Sequence, residues 1–179
     1  MENRCNELTS DPMSSEADYF VLSNISDYQR KIFQNRYWYA VDQIKRAILR
    51  NLESPIDILD AATGSGPGAA YIAEQIKAHA YTFSVVGVDT NVDAIQYAIE
   101  HYSGVVDYWV RDIVNAATMQ KWAVVVSMET LEYITPEKAH KFLNAVYMQL
   151  APGGLFICST PRRRPRESKV KRPGHINEM

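Results

Sequence analysis

One stretch of the chain gathers acids and glycines at a spacing that chemistry can use: Ile58-Leu59-Asp60-Ala61-Ala62-Thr63-Gly64-Ser65-Gly66-Pro67-Gly68-Ala69-Ala70. A short apolar run ends in a carboxylate and turns through a glycine-rich bend. In an open parallel sheet, ligands sit beyond the carboxyl ends of the strands, where the strand order reverses. Glycines there let the backbone come close to a ligand, and a helix that follows offers unpaired amides to an anionic group. Two kinds of ligand compete for this bend. Gly64-x-Gly66-x-x-Ala69 satisfies the dinucleotide fingerprint, and Asp89 stands about twenty residues on, where a ribose-binding acid belongs. Spacing speaks against a dinucleotide, whose fingerprint sets the first glycine hard against the strand end to turn the chain under a pyrophosphate. Here Asp60-Ala61-Ala62-Thr63 separate Leu59 from Gly64. A carboxylate at Asp60 would repel a pyrophosphate but help hold an ammonium. The expected ligand carries both signs, like an amino acid joined to a nucleoside.

The elements that must position this bend follow from hydrophobic period. The chain has 179 residues, 46% of them apolar and 11% aromatic, with a formal net charge of −2. Those values fit one globular domain and exclude wholesale disorder and fibrous classes. They give no global case for nucleic-acid binding. Two cysteines, Cys5 and Cys158, are too few for a disulfide framework, and with the polar, acidic start they point to a reducing, cytoplasmic compartment. No apolar run approaches the roughly 18 residues that cross a bilayer.

Residues 1–25 are polar and aperiodic, and are expected to form a flexible arm. Ser26-Asp27-Tyr28-Gln29 has the form of a capping box. Beyond it Phe33, Tyr37, Ala40, Ile44, Ala47 and Ile48 mark an amphipathic helix. From Pro55 short apolar runs alternate with helices. Strands are expected at Ile56–Leu59, Ser84–Val88, Val106–Val110, Trp122–Ser127 and Leu155–Ser159. Helices are expected from Pro67 to Ala78, through Ile95, Ala98, Ile99 and Tyr102, and from Thr135-Pro136-Glu137 onward. The last of these starts with an N-cap hydroxyl, a proline and an early acid, shows Phe142, Leu143, Val146 and Leu150 to the core, and stops at Ala151-Pro152-Gly153-Gly154. Alternation of this kind implies a three-layer α/β/α, Rossmann-like domain over 26–161 with a mostly parallel sheet of five strands.

S-adenosylmethionine fits the two-signed ligand, and the motifs taken together resemble those of the class I S-adenosylmethionine-dependent methyltransferases. The resemblance runs from about Tyr28 to Pro161. It rests on Leu59-Asp60-Ala61-Ala62-Thr63-Gly64-Ser65-Gly66, with Ala62 where glycine is more usual, and on Val86-Gly87-Val88-Asp89-Thr90-Asn91. Arg111-Asp112-Ile113, Val124 through Ile134 and Leu150-Ala151-Pro152-Gly153-Gly154-Leu155 continue it in order. The resemblance implies that Asp89 accepts from the ribose hydroxyls, with Thr90 beside it. It places Asp112 on the adenine amino group, with Arg111 and the Ile113 amide nearby. Ala62, Gly64, Ser65 and Gly66 would give the methionine part room, and Asp60 would orient the loop or the ammonium. Ser127 and Met128 would line the sulfonium, and Arg36 and Tyr37 would reach the methionine carboxylate. No metal is expected.

Methyl transfer is an in-line displacement, so the protein mainly aligns the nucleophile and removes its proton. The base candidates are Glu129, Glu132 and His175. The family often has histidine where Tyr133 stands and an acid where Ala123 stands. Within the family the motifs look most like small-molecule O-methyltransferases of quinone biosynthesis, where Ser159-Thr160-Pro161 and His175 with Glu178 would border the acceptor. The expected reaction is methylation of an O or N atom of a small molecule. A nicotinamide-dependent oxidoreductase, and a non-catalytic module binding S-adenosylmethionine or nucleic acid, are the alternatives. The tail 162–172 holds seven basic residues and one acid, either a solvated flexible segment or a dock for an anionic substrate, phosphate or nucleic acid. No candidate for the family's final antiparallel strand pair follows Pro161, so we expect either a truncated sequence or a sheet edge covered by a partner, such as a second copy.

Overall fold

The computed structural model describes residues 27–50, 55–79, 82–115 and 120–161. Helix α1 (Asp27–Leu49) leads into β1 (Ile56–Ala61), α2 (Pro67–Ile76), β2 (Phe83–Asp89), α3 (Val92–Tyr102), β3 (Asp107–Val110) and β4 (Trp122–Met128). A 3-10 turn (Leu131–Tyr133), α4 (Pro136–Gln149) and β5 (Leu150–Ser159) complete the described chain. The strands pair in the order β3-β2-β1-β4-β5, every pair parallel. Strand order reverses between β1 and β4. The glycine-rich bend after β1 therefore opens at the topological switch point, where such sheets take their ligands.

Two apolar layers sandwich the sheet. Ile56, Ile58, Val85, Val124 and Val126 pack with Tyr37, Ala40 and Ile44 of α1, Ile72 and Ile76 of α2, and Ile95 and Ala98 of α3. On the opposite face Leu59, Ala61, Val86, Val88 and Val125 pack with Ala139, Phe142 and Val146 of α4. Alternate residues of β1 thus go to opposite layers, as strand period requires. Side-chain caps start α3 and α4, the second of them expected from Thr135-Pro136-Glu137. The Asn91 side chain accepts from the Ala94 amide at 3.1 Å, and the Thr135 hydroxyl from the Lys138 amide at 3.3 Å.

Four expectations need correction. β1 runs on to Ala61 instead of ending at Leu59, because Asp60 and Ala61 still pair with Gly87 and Val88 of β2, so two residues and not four stand between the strand and Gly64. Leu143 is not core but 39% exposed, because α4 meets the sheet along Ala139, Phe142 and Val146 and Leu143 lies on its flank. The helix after Pro67 ends at Ile76, short of Ala78. β5 begins at Leu150, not Leu155: Trp122 pairs with Leu150 and Val124 with Leu155. The Ala151–Gly154 segment stays beside β4 as a bulge, with Gly153 at φ 74°. The arm 1–25, the Ser26 cap and the tail 162–179, with its basic run, His175 and Glu178, lie outside the described residues. Among the described residues no helix is long and apolar enough to cross a membrane.

Candidate active site

The bend after β1 is fastened from several directions. Thr63 and Asp60 form a buried pair, the hydroxyl donating to Oδ2 at 2.7 Å. The other Asp60 oxygen, Oδ1, is fully buried without a hydrogen-bond partner. Burial, and then the facing Asp89 charge, push the Asp60 carboxyl up to about 7, against the Thr63 and Tyr37 hydroxyls, which favour its ionised form. Ala62 adopts φ 66°, a left-handed conformation that L side chains resist, and Gly64 and Gly66 follow at φ 57° and 89°. This is the physical reason glycine suits the position Ala62 occupies. α2 begins at once, with Pro67 in its first turn, no side-chain cap and no acid there. Pro67 has no N–H and the Ala70 amide bonds the Gly66 carbonyl, so the Gly68 and Ala69 amides are the first-turn donors that have no intrahelical acceptor.

Asp89 ends β2 half-buried. Its Oδ2 accepts from the Gly64 amide at 2.9 Å and its Oδ1 from the Asn91 amide at 2.9 Å, so each oxygen keeps a lone pair for another donor. Thr90 beside it is exposed. Arg111 hands its amide to the Asp89 carbonyl at 2.8 Å, which draws the third motif against the second. The Arg111 guanidinium lies 5.4 Å over the Trp109 ring. Asp112 accepts from the Val114 amide at 2.8 Å and from Asn115 Nδ2 at 2.6 Å, so its carboxylate first of all shapes its own turn. Ile113 is buried against the α4 side of the sheet.

At the end of β4, Ser127 and Met128 are buried and the Ser127 hydroxyl donates to Thr130 Oγ1 at 2.9 Å. Glu129 turns the chain at φ 55°. Its carboxylate meets the Arg36 guanidinium of α1 at 2.8 Å and accepts from the Ser159 hydroxyl of β5 at 2.8 Å, and its amide donates to the Ser159 carbonyl at 2.9 Å. Glu132, three residues on, is 1% exposed and neither of its oxygens has a hydrogen-bond partner. Burial, and then the neighbouring Glu129, push its carboxyl up to about 7. The two acids are thus unlike: one is ion-paired, the other buried and easily protonated.

Sequence reasoning set Arg36 and Tyr37 together. The structure gives Arg36 to Glu129 and sinks the Tyr37 ring into the core over Gly68, where a Cβ would fall 1.9 Å from its Cζ. The Tyr37 hydroxyl is close to Asp60. Three residues that hold the site were not singled out as ligands: Thr63, Ser159 in its tie to Glu129, and Tyr108. Only Ser159 carried a signal in the sequence, through Ser159-Thr160-Pro161.

The comparisons agree with this architecture. A family model described as "Methyltransferase domain" matches residues 28–177. The chain belongs to the methyltransferase-domain family. Among its relatives, a ubiquinone biosynthesis O-methyltransferase of Cereibacter sphaeroides is 29% identical over 72% of this chain and 52% of its own length. A phosphoethanolamine N-methyltransferase of Triticum aestivum is 26% identical over 73% of this chain and 25% of its own. The plantazolicin methyltransferase BpumL, in complex with a pentazolic desmethyl analogue and SAH, superposes with a TM-score of 0.68 at 18% identity, over 92% of this chain and 60% of that one. The chain therefore spans about half or less of the length of these two curated relatives.

Proposed function

We propose that this chain binds S-adenosylmethionine at the β1–β4 switch point and transfers its methyl group to an O or N atom of a small molecule. The observation that carries the reading is the Asp60 carboxylate, fully buried beneath a glycine bend, which the Tyr37 hydroxyl approaches while its Oδ1 completes no hydrogen bond. Such an atom is costly unless a ligand supplies a donor, and an ammonium is the donor that the bend admits and a diphosphate lacks. The residues present fit the cofactor on three further counts: the uncapped start of α2 suits its carboxylate, Asp89 keeps two lone pairs for a ribose diol, and Asp112 with the Ile113 amide suits adenine.

When bound, S-adenosylmethionine supplies an electrophilic methyl group on a sulfonium. What remains falls to the chain. Ser127 and Met128, buried at the end of β4, would line the sulfonium. Arg36 and Ser159 hold the Glu129 carboxylate, which is thereby occupied by two contacts within the chain. Glu132 is the base we favour: with burial and the Glu129 charge pushing its carboxyl up to about 7, against the Thr160 hydroxyl, it can take the acceptor's proton near neutral pH. The relatives named above are an O- and an N-methyltransferase, which supports either atom as the nucleophile.

Calorimetric titration with S-adenosylhomocysteine tests the cofactor assignment. The wild type should bind, and Asp89→Asn should lose about 10- to 150-fold in affinity, the worth of one charge-assisted hydrogen bond. Binding of NADH with none of S-adenosylhomocysteine, or unchanged affinity in Asp89→Asn, would overturn it.

A further inference from the structure

We infer that Tyr108 is a positioning residue for the cofactor bend, acting through the carbonyl of Gly66; this rests on the cofactor reading above. Tyr108 belongs to β3, the edge strand, and pairs with Gly87 of β2. Because Gly87 has no side chain, the Tyr108 ring lies across β2, where a Cβ on Gly87 would fall 2.7 Å from the ring. The ring runs on to the start of α2, where a Cβ on Gly66 would fall 2.8 Å from Cε1. At its end the hydroxyl donates to the Gly66 carbonyl at 2.7 Å. That carbonyl also accepts the first helical bond of α2, from the Ala70 amide at 3.2 Å.

Both lone pairs of one carbonyl are thereby used, and the Gly66–Pro67 peptide plane is fixed. The bend is then held at both ends: Gly64 by its amide to Asp89, Gly66 by its carbonyl to Tyr108. Gly66 sits at φ 89°, so nothing in its own conformational preference keeps the peptide in this orientation. A ring serving the core alone would need no hydroxyl, since phenylalanine fills nearly the same volume. The phenol is 6% exposed and burial holds it protonated, so it remains a donor. An edge strand thus reaches over its neighbour to set the direction in which α2 leaves the bend.

Tyr108→Phe separates the two roles. It keeps the ring and leaves the Gly66 carbonyl its bond from Ala70. The expected result is an affinity for S-adenosylhomocysteine about three- to tenfold weaker, with faster amide exchange at Gly64. In turnover, KM for the cofactor should rise while kcat at saturation holds. Tyr108→Leu, which also removes the ring, should lower the melting temperature further. Wild-type affinity and wild-type exchange at Gly64 in Tyr108→Phe would overturn the assignment and leave the cofactor site standing. A wild-type protein that does not bind S-adenosylhomocysteine would overturn both.

Discussion

Ala62 and Glu129 are the two non-glycine residues with positive φ among those described, and both sit where a strand ends at the switch point. A left-handed L residue costs about 1–2 kcal/mol, and a glycine in its place loses about 0.5–1 kcal/mol through chain entropy. Ala62→Gly should therefore stabilise the fold by about 0.5–1 kcal/mol, seen as a rise of a few degrees in melting temperature. A lower melting temperature would mean that the methyl group of Ala62 packs more favourably than its backbone is strained. At Glu129 the strained turn places the side chain between Arg36 and Ser159, so strain there is offset by two polar contacts.

At the scale of elements, α1 is the piece that closes the site from outside the alternating β/α unit. It does so through Tyr37, whose ring occupies the space a side chain on Gly68 would need. Gly68→Ala should cost about 1–3 kcal/mol by overpacking. Combined with Tyr37→Leu, the loss should be smaller than the two single losses added, because the pair is in direct contact. Additive losses in thermal unfolding would show that α1 does not dock on α2 through this contact. The alternation of short strands and helices was readable from Ile56 to Ser159, as was the start of α4, since caps and apolar period are local properties. The early start of β5 was not. Pro152-Gly153-Gly154 reads as a stop, and only pairing with β4 turns the segment into a bulge.

For the whole molecule, two buried carboxylates make stability depend on pH. Asp60 and Glu132 are each raised to about 7, so the folded state binds more protons than the unfolded chain between the ordinary carboxylate range and neutrality. With that sign, the stabilisation is complete at acid pH below the unfolded values and is lost as pH rises through about 7. Glu132→Gln, which mimics the protonated acid, should match the wild type near about pH 4 and exceed it by on the order of 3 kcal/mol near about pH 8. Melting curves across that range check it, and parallel curves for the two proteins would show that Glu132 ionises freely. The same substitution should flatten the rise of kcat/KM with pH, if Glu132 accepts the acceptor's proton.

The amino-acid sequence by itself determined the layered fold, the glycine bend and the acid at the tip of β2, because period, caps and turn residues act over a few neighbouring positions. It named both Glu129 and Glu132 without separating them. Tertiary structure gave them different surroundings, by bringing Arg36 and Ser159 from distant parts of the chain to one carboxylate and sealing the other away from water. It also decided the place of Tyr108, whose hydroxyl finds Gly66 only because two strands and a helix converge there. Burial and pairing across the chain are set by packing, and packing has no local signature.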